Sequence, residues 1–241
     1  SEGQAVFNRS ERWLDDYSQI RELAAELKAE PSGTVVVDIP TALARHFVLP
    51  ALPGFLAANP GLDLDIRIQQ SGVRQLTEGI DIAVIIDKLA DSSAKARLLG
   101  KINSFPCASP RYLKRCGTPL LPKDLAAHNC LVIPYVNMPG ANQWVFYSQG
   151  KRSIVKINGN LKVNDPDLVK SMVLAGEGIA LQPAFAAADE FRRGKLVKLL
   201  DAWTMPAIPV YLAYLERKNI APKLRVTIDF LVKCFGDLKA S

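Results

Sequence analysis

The chain has little of what would mark an enzyme, a metalloprotein or a membrane protein. Its 241 residues hold two histidines and four cysteines. Cys107, Cys116, Cys130 and Cys234 lie far apart without a C-x-x-C pair, which argues against a structural zinc site or a disulfide framework and for buried reduced thiols. With only His46 and His128 there is no metal-ligand cluster, and neither a metal nor a cofactor is expected. No Gly-x-Ser-x-Gly turn opens a helix, so a serine hydrolase would lack its nucleophile and base. No phosphate loop occurs, and Gly176-x-Gly178 follows a helical stretch instead of starting one, so it is no dinucleotide fingerprint. No apolar run approaches about 18 residues, and no charged-then-apolar segment opens the chain, so a soluble cytoplasmic protein without a membrane partner is expected. What remains is binding, not catalysis.

The composition, 49% hydrophobic and 22% charged, suits a globular chain too long for one small core. The net charge of +6 is unevenly spread: residues 1–30 carry four Lys/Arg against seven Asp/Glu, a net of −3, which leaves +9 on residues 31–241. Those basic residues fall in isolated pairs such as Lys151-Arg152 and Arg192-Arg193, without interleaved aromatics. The pattern reads as a solvated basic surface and not as a nucleic-acid groove.

Residues 2–30 read as one long helix. Val6, Trp13, Ile20 and Leu27 repeat every seven residues, with Ser10, Tyr17 and Ala24 at the companion position. Such a stripe needs a partner, and a second copy of the same helix is the natural one. Phe7, Leu14 and Leu23 widen the stripe toward a globular neighbour. Pro31-Ser32-Gly33 then ends the helix as a hinge-like linker.

From Thr34 the pattern alternates strand and helix. Val35, Val36, Val37 and Ile39 suit a strand buried on both faces, and Leu49, Leu52, Phe55 and Leu56 recur at helical spacing after the turn Pro40-Thr41-Ala42. A hydroxyl residue at the start of a helix leaves backbone N–H groups facing outward. Leu62–Ile68 alternates apolar and charged residues as a half-exposed strand and ends at Gln69-Gln70-Ser71. A short helix from Val73 to Glu78 leads to the buried strand Ile80–Ile86, stopped by Asp87. This order predicts a parallel sheet with right-handed crossovers.

Further strands are predicted at Leu98–Ala108, Cys130–Pro134, Leu196–Leu200 and Pro209–Tyr214, with a hairpin of Trp144–Tyr147 and Ser153–Ile157. Asn164-Asp165-Pro166-Asp167 is a clear helix start, and a strand follows at Ile179–Pro183. A helix over 184–192 and a closing helix over 222–235 complete the chain. In open α/β sheets ligands sit beyond strand ends, which directs attention to Thr41, Gln69, Gln70, Ser71, Asp87, Asn164 and Asp165.

The ordered motifs FVLPALPGFLAANPGLDLDI (47–66), TEGIDIAV (77–84), DSSAKARLLG (91–100), CASPRYLKRCGTP (107–119), DLAAHNCL (124–131), VLAGEGIALQP (173–183) and PKLRVTIDFLVKCF (222–235) resemble the effector-binding part of a LysR-type transcriptional regulator, over essentially the whole chain. The resemblance implies an α/β fold of two Rossmann-like lobes of periplasmic-binding-protein type, joined by two crossover strands and preceded by a linker helix. Its limits fall at 1–30 for the dimerisation helix (Val6, Trp13, Tyr17, Ile20, Ala24, Leu27), 34–105 plus 211–241 for the first lobe, and 106–210 for the second. It further implies a homodimer or tetramer, and promoter DNA as a partner only through a winged helix-turn-helix preceding residue 1.

A small-molecule effector would lie between the lobes, at Pro40, Thr41, Ala42, Gln69, Gln70, Ser71 and Asp87 on one side and Pro134, Tyr135, Asn164, Asp165 and Pro183 on the other. Gln69-Gln70-Ser71 stands where relatives often carry Ser-Asp-Arg, and Ile85-Ile86-Asp87 where many carry Arg-Ile-Gly. The missing Arg argues against a carboxylate held by a charge pair and favours a less charged ligand. A two-lobed solute-binding protein is the alternative, but a free carrier has no use for an acidic dimerisation helix. An enzyme ranks third, without an obvious acid–base pair at the strand ends.

Overall fold

The computed structural model describes Trp13 and residues 30–69, 79–87, 94–134, 142–215 and 220–239. The dimerisation stripe therefore lies outside the described residues, as does the short helix 73–78. Trp13 alone is described, helical and 71% exposed.

Strand β1 (Gly33–Pro40) runs through a bent helical segment into α1 (Leu52–Ala58) and β2 (Leu62–Gln69), followed by β3 (Ile82–Ile86) and β4 (Ala94–Ile102). One residue later come β5 (Ser104–Ala108) and α2 (Pro110–Cys116), then β6 (Cys130–Leu131) and the hairpin β7 (Gln143–Ser148) and β8 (Lys151–Lys156). Helix α3 (Pro166–Leu174), β9 (Ile179–Pro183), α4 (Ala184–Arg192), β10 (Val197–Lys198), β11 (Ile208–Leu215) and α5 (Pro222–Cys234) follow.

The strands form two lobes. One sheet has the order β2-β1-β3-β11-β4, the other β10-β5-β9-β6, and the hairpin stands apart. β1 pairs in parallel with both β2 and β3, as the order of 34–87 predicts, while β11 returns antiparallel between β3 and β4, so the sheet as a whole is mixed. No local pattern reports strand direction, because a strand buried on both faces looks alike either way.

Ile82, Val84, Val210 and Leu212 on one face of the first sheet meet Leu224, Ile228 and Leu231 of α5. Ala83, Ile85 and Ala213 face the opposite side. Each fully buried aliphatic side chain contributes about 1.5–3 kcal/mol. The second lobe packs Val169 and Val173 of α3 against Cys107 and Ala180. Among the described residues no single helix is long and apolar enough to cross a membrane.

Three expectations need correction. Leu98–Ala108 is not one strand: β4 ends at Ile102, β5 begins at Ser104, and the two belong to different sheets. Both halves are extended, so residue pattern alone does not mark the change of partners. The helix after Pro40 is broken into Thr41–Leu43, a π-helical Ala44–Val48 and α1, with a bend of 68°. The widened turn closes with Leu49 N–H donating to the Ala44 carbonyl at 2.9 Å, and Pro50 and Pro53 cannot donate to continue the ladder. Finally, of the four cysteines only Cys107 and Cys130 are buried, and burial pushes both thiols up to about 12. Cys116 is exposed and Cys234 intermediate, since Cys116 ends the short surface helix α2.

The hairpin is as predicted. Gln149 and Gly150 take φ of 48° and 75°, the twist a two-residue connection between antiparallel strands requires. Gly159 is required for a different reason: a Cβ there would stand 1.8 Å from the Cys130 carbonyl oxygen. That close approach allows Asn158 O to accept from Cys130 N–H at 2.8 Å, tying 158–160 to β6. Gly159→Ala is expected to lower stability by about 1–3 kcal/mol or more. Urea unfolding checks this, and a midpoint equal to that of the parent chain would contradict it.

Candidate functional site

The C-terminal end of β1 and the N-terminal end of α3 come from different lobes and face each other across a cavity. Its empty volume is about 420 Å³, including the open mouth. The first lobe supplies Pro40, Thr41, Ala42, Leu43, Ile86 and Ile102, and the second supplies Asn164, Pro166, Pro183 and Phe185. Strand ends make such a site because backbone pairing stops there while the sheet still holds each residue in place.

Five expected residues meet here: Pro40, Thr41, Ala42, Asn164 and Pro183. Gln69 is the last residue of β2, in register with Pro40. Gln70, Ser71 and Tyr135 lie outside the described residues. Pro134 follows β6 and does not line the cavity. Asp165 does not line it either: its carboxylate caps α3, accepting from Asp167 N–H at 2.8 Å and Leu168 N–H at 3.1 Å. Asp87 closes β3 at φ 75°, its N–H donating to the Pro209 carbonyl at 2.8 Å, and Ile86 takes the place on the wall.

Thr41 occupies the wall but not as a helix cap. Pro40 holds the capping position, no side chain caps the turn, and Thr41 is the first helical residue. The residues that sequence reasoning missed, Leu43, Ile86, Ile102, Pro166 and Phe185, are apolar. Nothing in their residue type separates a cavity wall from a core.

The two walls are also bridged directly. Arg45 Nη1 donates to Asp167 Oδ2, and His46 Nε2 stands 3.7 Å from Asp167 Oδ1. On its own lobe Asp167 meets Lys170 Nζ at 3.2 Å, and Lys170 Nζ in turn donates to the Ala186 carbonyl at 2.6 Å. Phe185, at the start of α4, packs edge-on against His46 and Phe47 with ring centroids 5.3 and 4.9 Å away, and Phe47 continues to Phe235 at 5.1 Å. Burial alone would raise the Asp167 carboxyl, but the Lys170 hydrogen bond and the charges of Lys170, Arg45 and His46 outweigh it and hold the group below the ordinary aspartate value.

The other histidine is structural. Asn129 N–H donates to Tyr112 Oη at 3.1 Å, which frees the phenol proton for His128 Nδ1 at 3.2 Å. Burial pushes His128 down from its usual value, with Asp124 opposing.

Comparison with known proteins points one way. Residues 28–235 match the model of the family described as the LysR substrate binding domain. The chain is 30% identical over 239 residues to an HTH-type transcriptional repressor, PA14_22550, of Pseudomonas aeruginosa, covering 98% of this chain and 74% of that protein. It is 28% identical over 232 residues to the uncharacterized HTH-type transcriptional regulator YhjC of Escherichia coli, covering 95% and 77%. CrgA, a LysR-type transcriptional regulator from Neisseria meningitidis, has a solved structure that superposes with a TM-score of 0.76 at 28% identity, over 98% of this chain and 80% of that one.

The lowered Asp167 carboxyl sets a pH dependence. A depressed folded-state value gives stability that is present above the unfolded aspartate value of about 4 and is lost as pH falls through the folded one. Asp167→Asn should therefore lower the melting midpoint at pH 7, and the gap should close as pH falls below about 4. Thermal melts of both chains across pH test it; a gap that persists undiminished at low pH would exclude a charge origin.

Proposed function

Because the chain belongs to the LysR substrate-binding domain family, we propose that the cavity between its lobes receives a small-molecule effector whose binding alters how a winged helix-turn-helix domain, joined ahead of residue 1, sits on promoter DNA. The observation that carries this reading is the convergence of Thr41 and Asn164, from different lobes, on one cavity. A ligand touching both walls is bound by the arrangement of the lobes and can shift it, because it favours whichever arrangement it contacts best. Of the expected residues, Pro40, Thr41, Ala42, Asn164 and Pro183 carry this reading. We place the lobe boundaries at Asn103, between β4 and β5, and just before β11, a few residues from the expected limits of 34–105 plus 211–241 and 106–210.

We assign the acidic heptad segment 1–30 the role of dimerisation helix in a cytoplasmic homodimer or tetramer. Its role is to sense and not to catalyse.

A thermal-shift screen of small metabolites against the 241-residue chain tests the site, since a ligand that binds only the folded state raises its midpoint. For any compound found, Thr41→Val should weaken binding about tenfold by removing one hydrogen bond of about 1.4 kcal/mol. Unchanged affinity would place the site elsewhere. Removing residues 1–30 should yield a smaller oligomer by light scattering, and an unchanged mass would assign dimerisation to the lobes instead.

A further inference from the structure

Resting on the reading that this cavity is the effector site, we infer that the effector is a compact neutral molecule, an apolar body bearing a hydroxyl or amide N–H, and not an anion. Leu43, Ile86, Ile102 and Phe185, with three prolines, make the wall apolar, and Thr41 and Asn164 add uncharged polarity. No Lys, Arg or His stands among the described residues that line it.

The cations nearby are already engaged. Arg45 and Lys170 both hold Asp167, and Lys170 also donates to the Ala186 carbonyl. The start of α3 is not free to hold an anion either, because its Asp167 and Leu168 N–H groups are taken by the Asp165 carboxylate. An entering carboxylate would find no cation on the described lining and a helix start whose first N–H groups already serve Asp165.

A second observation points to a donor on the ligand. Gln182 of β9 is fully buried, and its Nε2 donates to the Pro166 carbonyl at 3.3 Å. A carbonyl can only accept, so this contact fixes which way the amide faces and leaves Oε1 as the acceptor without a partner. Buried polar atoms in folded proteins are nearly always hydrogen-bonded. Gln182 is bonded to one cavity-lining proline, Pro166, and precedes another, Pro183. Gln182 lies behind the cavity wall and not on it, so a ligand reaches Oε1 only by parting these two prolines; a hydroxyl or N–H that does so satisfies the acceptor, and an ionised carboxylate has no proton to offer it.

Calorimetry of the 241-residue chain against matched pairs with one carbon skeleton tests the inference: benzyl alcohol and benzamide against benzoate, isobutyramide against isobutyrate. The neutral members should bind about tenfold or more tightly than their carboxylates, and Gln182→Met should weaken amide binding about tenfold. Thr41→Val is the second arm should Gln182→Met fail to fold by circular dichroism. Carboxylates that bind as well as the neutral members, and are weakened by Thr41→Val, would overturn the ligand class while leaving the site in place. Neutral ligands unaffected by both Thr41→Val and a cavity-filling Ala42→Leu would overturn the site itself. Absence of binding by every neutral member at about 10 mM would overturn the inference of a compact neutral ligand.

Discussion

A single residue, Asn103, separates β4 of one sheet from β5 of the other, and the geometry between the lobes depends on that joint. A loop of ordinary length would let the two sheets take many relative positions; one residue leaves only its own two dihedrals and those beside it. The joint is held on the other side as well, because the Asn103 carbonyl accepts from Ala184 N–H at 2.9 Å. That bond places the start of α4, and with it Phe185, against the first lobe. The cavity wall at Pro183 and Phe185 is thus a direct product of where the chain changes sheets.

The charged and aromatic contacts act on this geometry in different ways. The Asp167 cluster is partly exposed, with Arg45 more than half accessible, so solvent and salt weaken it and it can open at modest cost. The Phe185 contacts with His46 and Phe47 are less sensitive to salt because they rest on apolar burial. One set favours the observed arrangement reversibly, and the other sets how closely the walls approach.

Much of the fold was legible in the residues. The helix start at Asn164-Asp165-Pro166-Asp167, the hairpin turn at Gln149-Gly150 and the helix over 184–192 depend on short-range chemistry, capping and turn preference, which one sequence displays directly. The division of Leu98–Ala108 between two sheets and the antiparallel return of β11 were not legible, because pairing partners are chosen over long sequence distances. The cavity was legible in half. Polar strand-end residues such as Thr41 and Asn164 advertise themselves, whereas Ile86, Ile102 and Phe185 resemble any core residue. Asp165 drew attention for the same polarity that commits it to capping α3. The orphaned acceptor of Gln182 could not be foreseen at all, because it depends on which neighbours the fold leaves it.

Phe185 lines the cavity and also packs against the core of the first lobe, through Phe47 to Phe235 at the end of α5. The same side chain therefore counts toward two quantities usually treated as separate, how tightly a ligand is held and how firmly the lobe is folded. A sequence drifting under selection for a new effector would not be free to remodel this wall at will. Its choices at position 185 are limited to residues that the core can also accept.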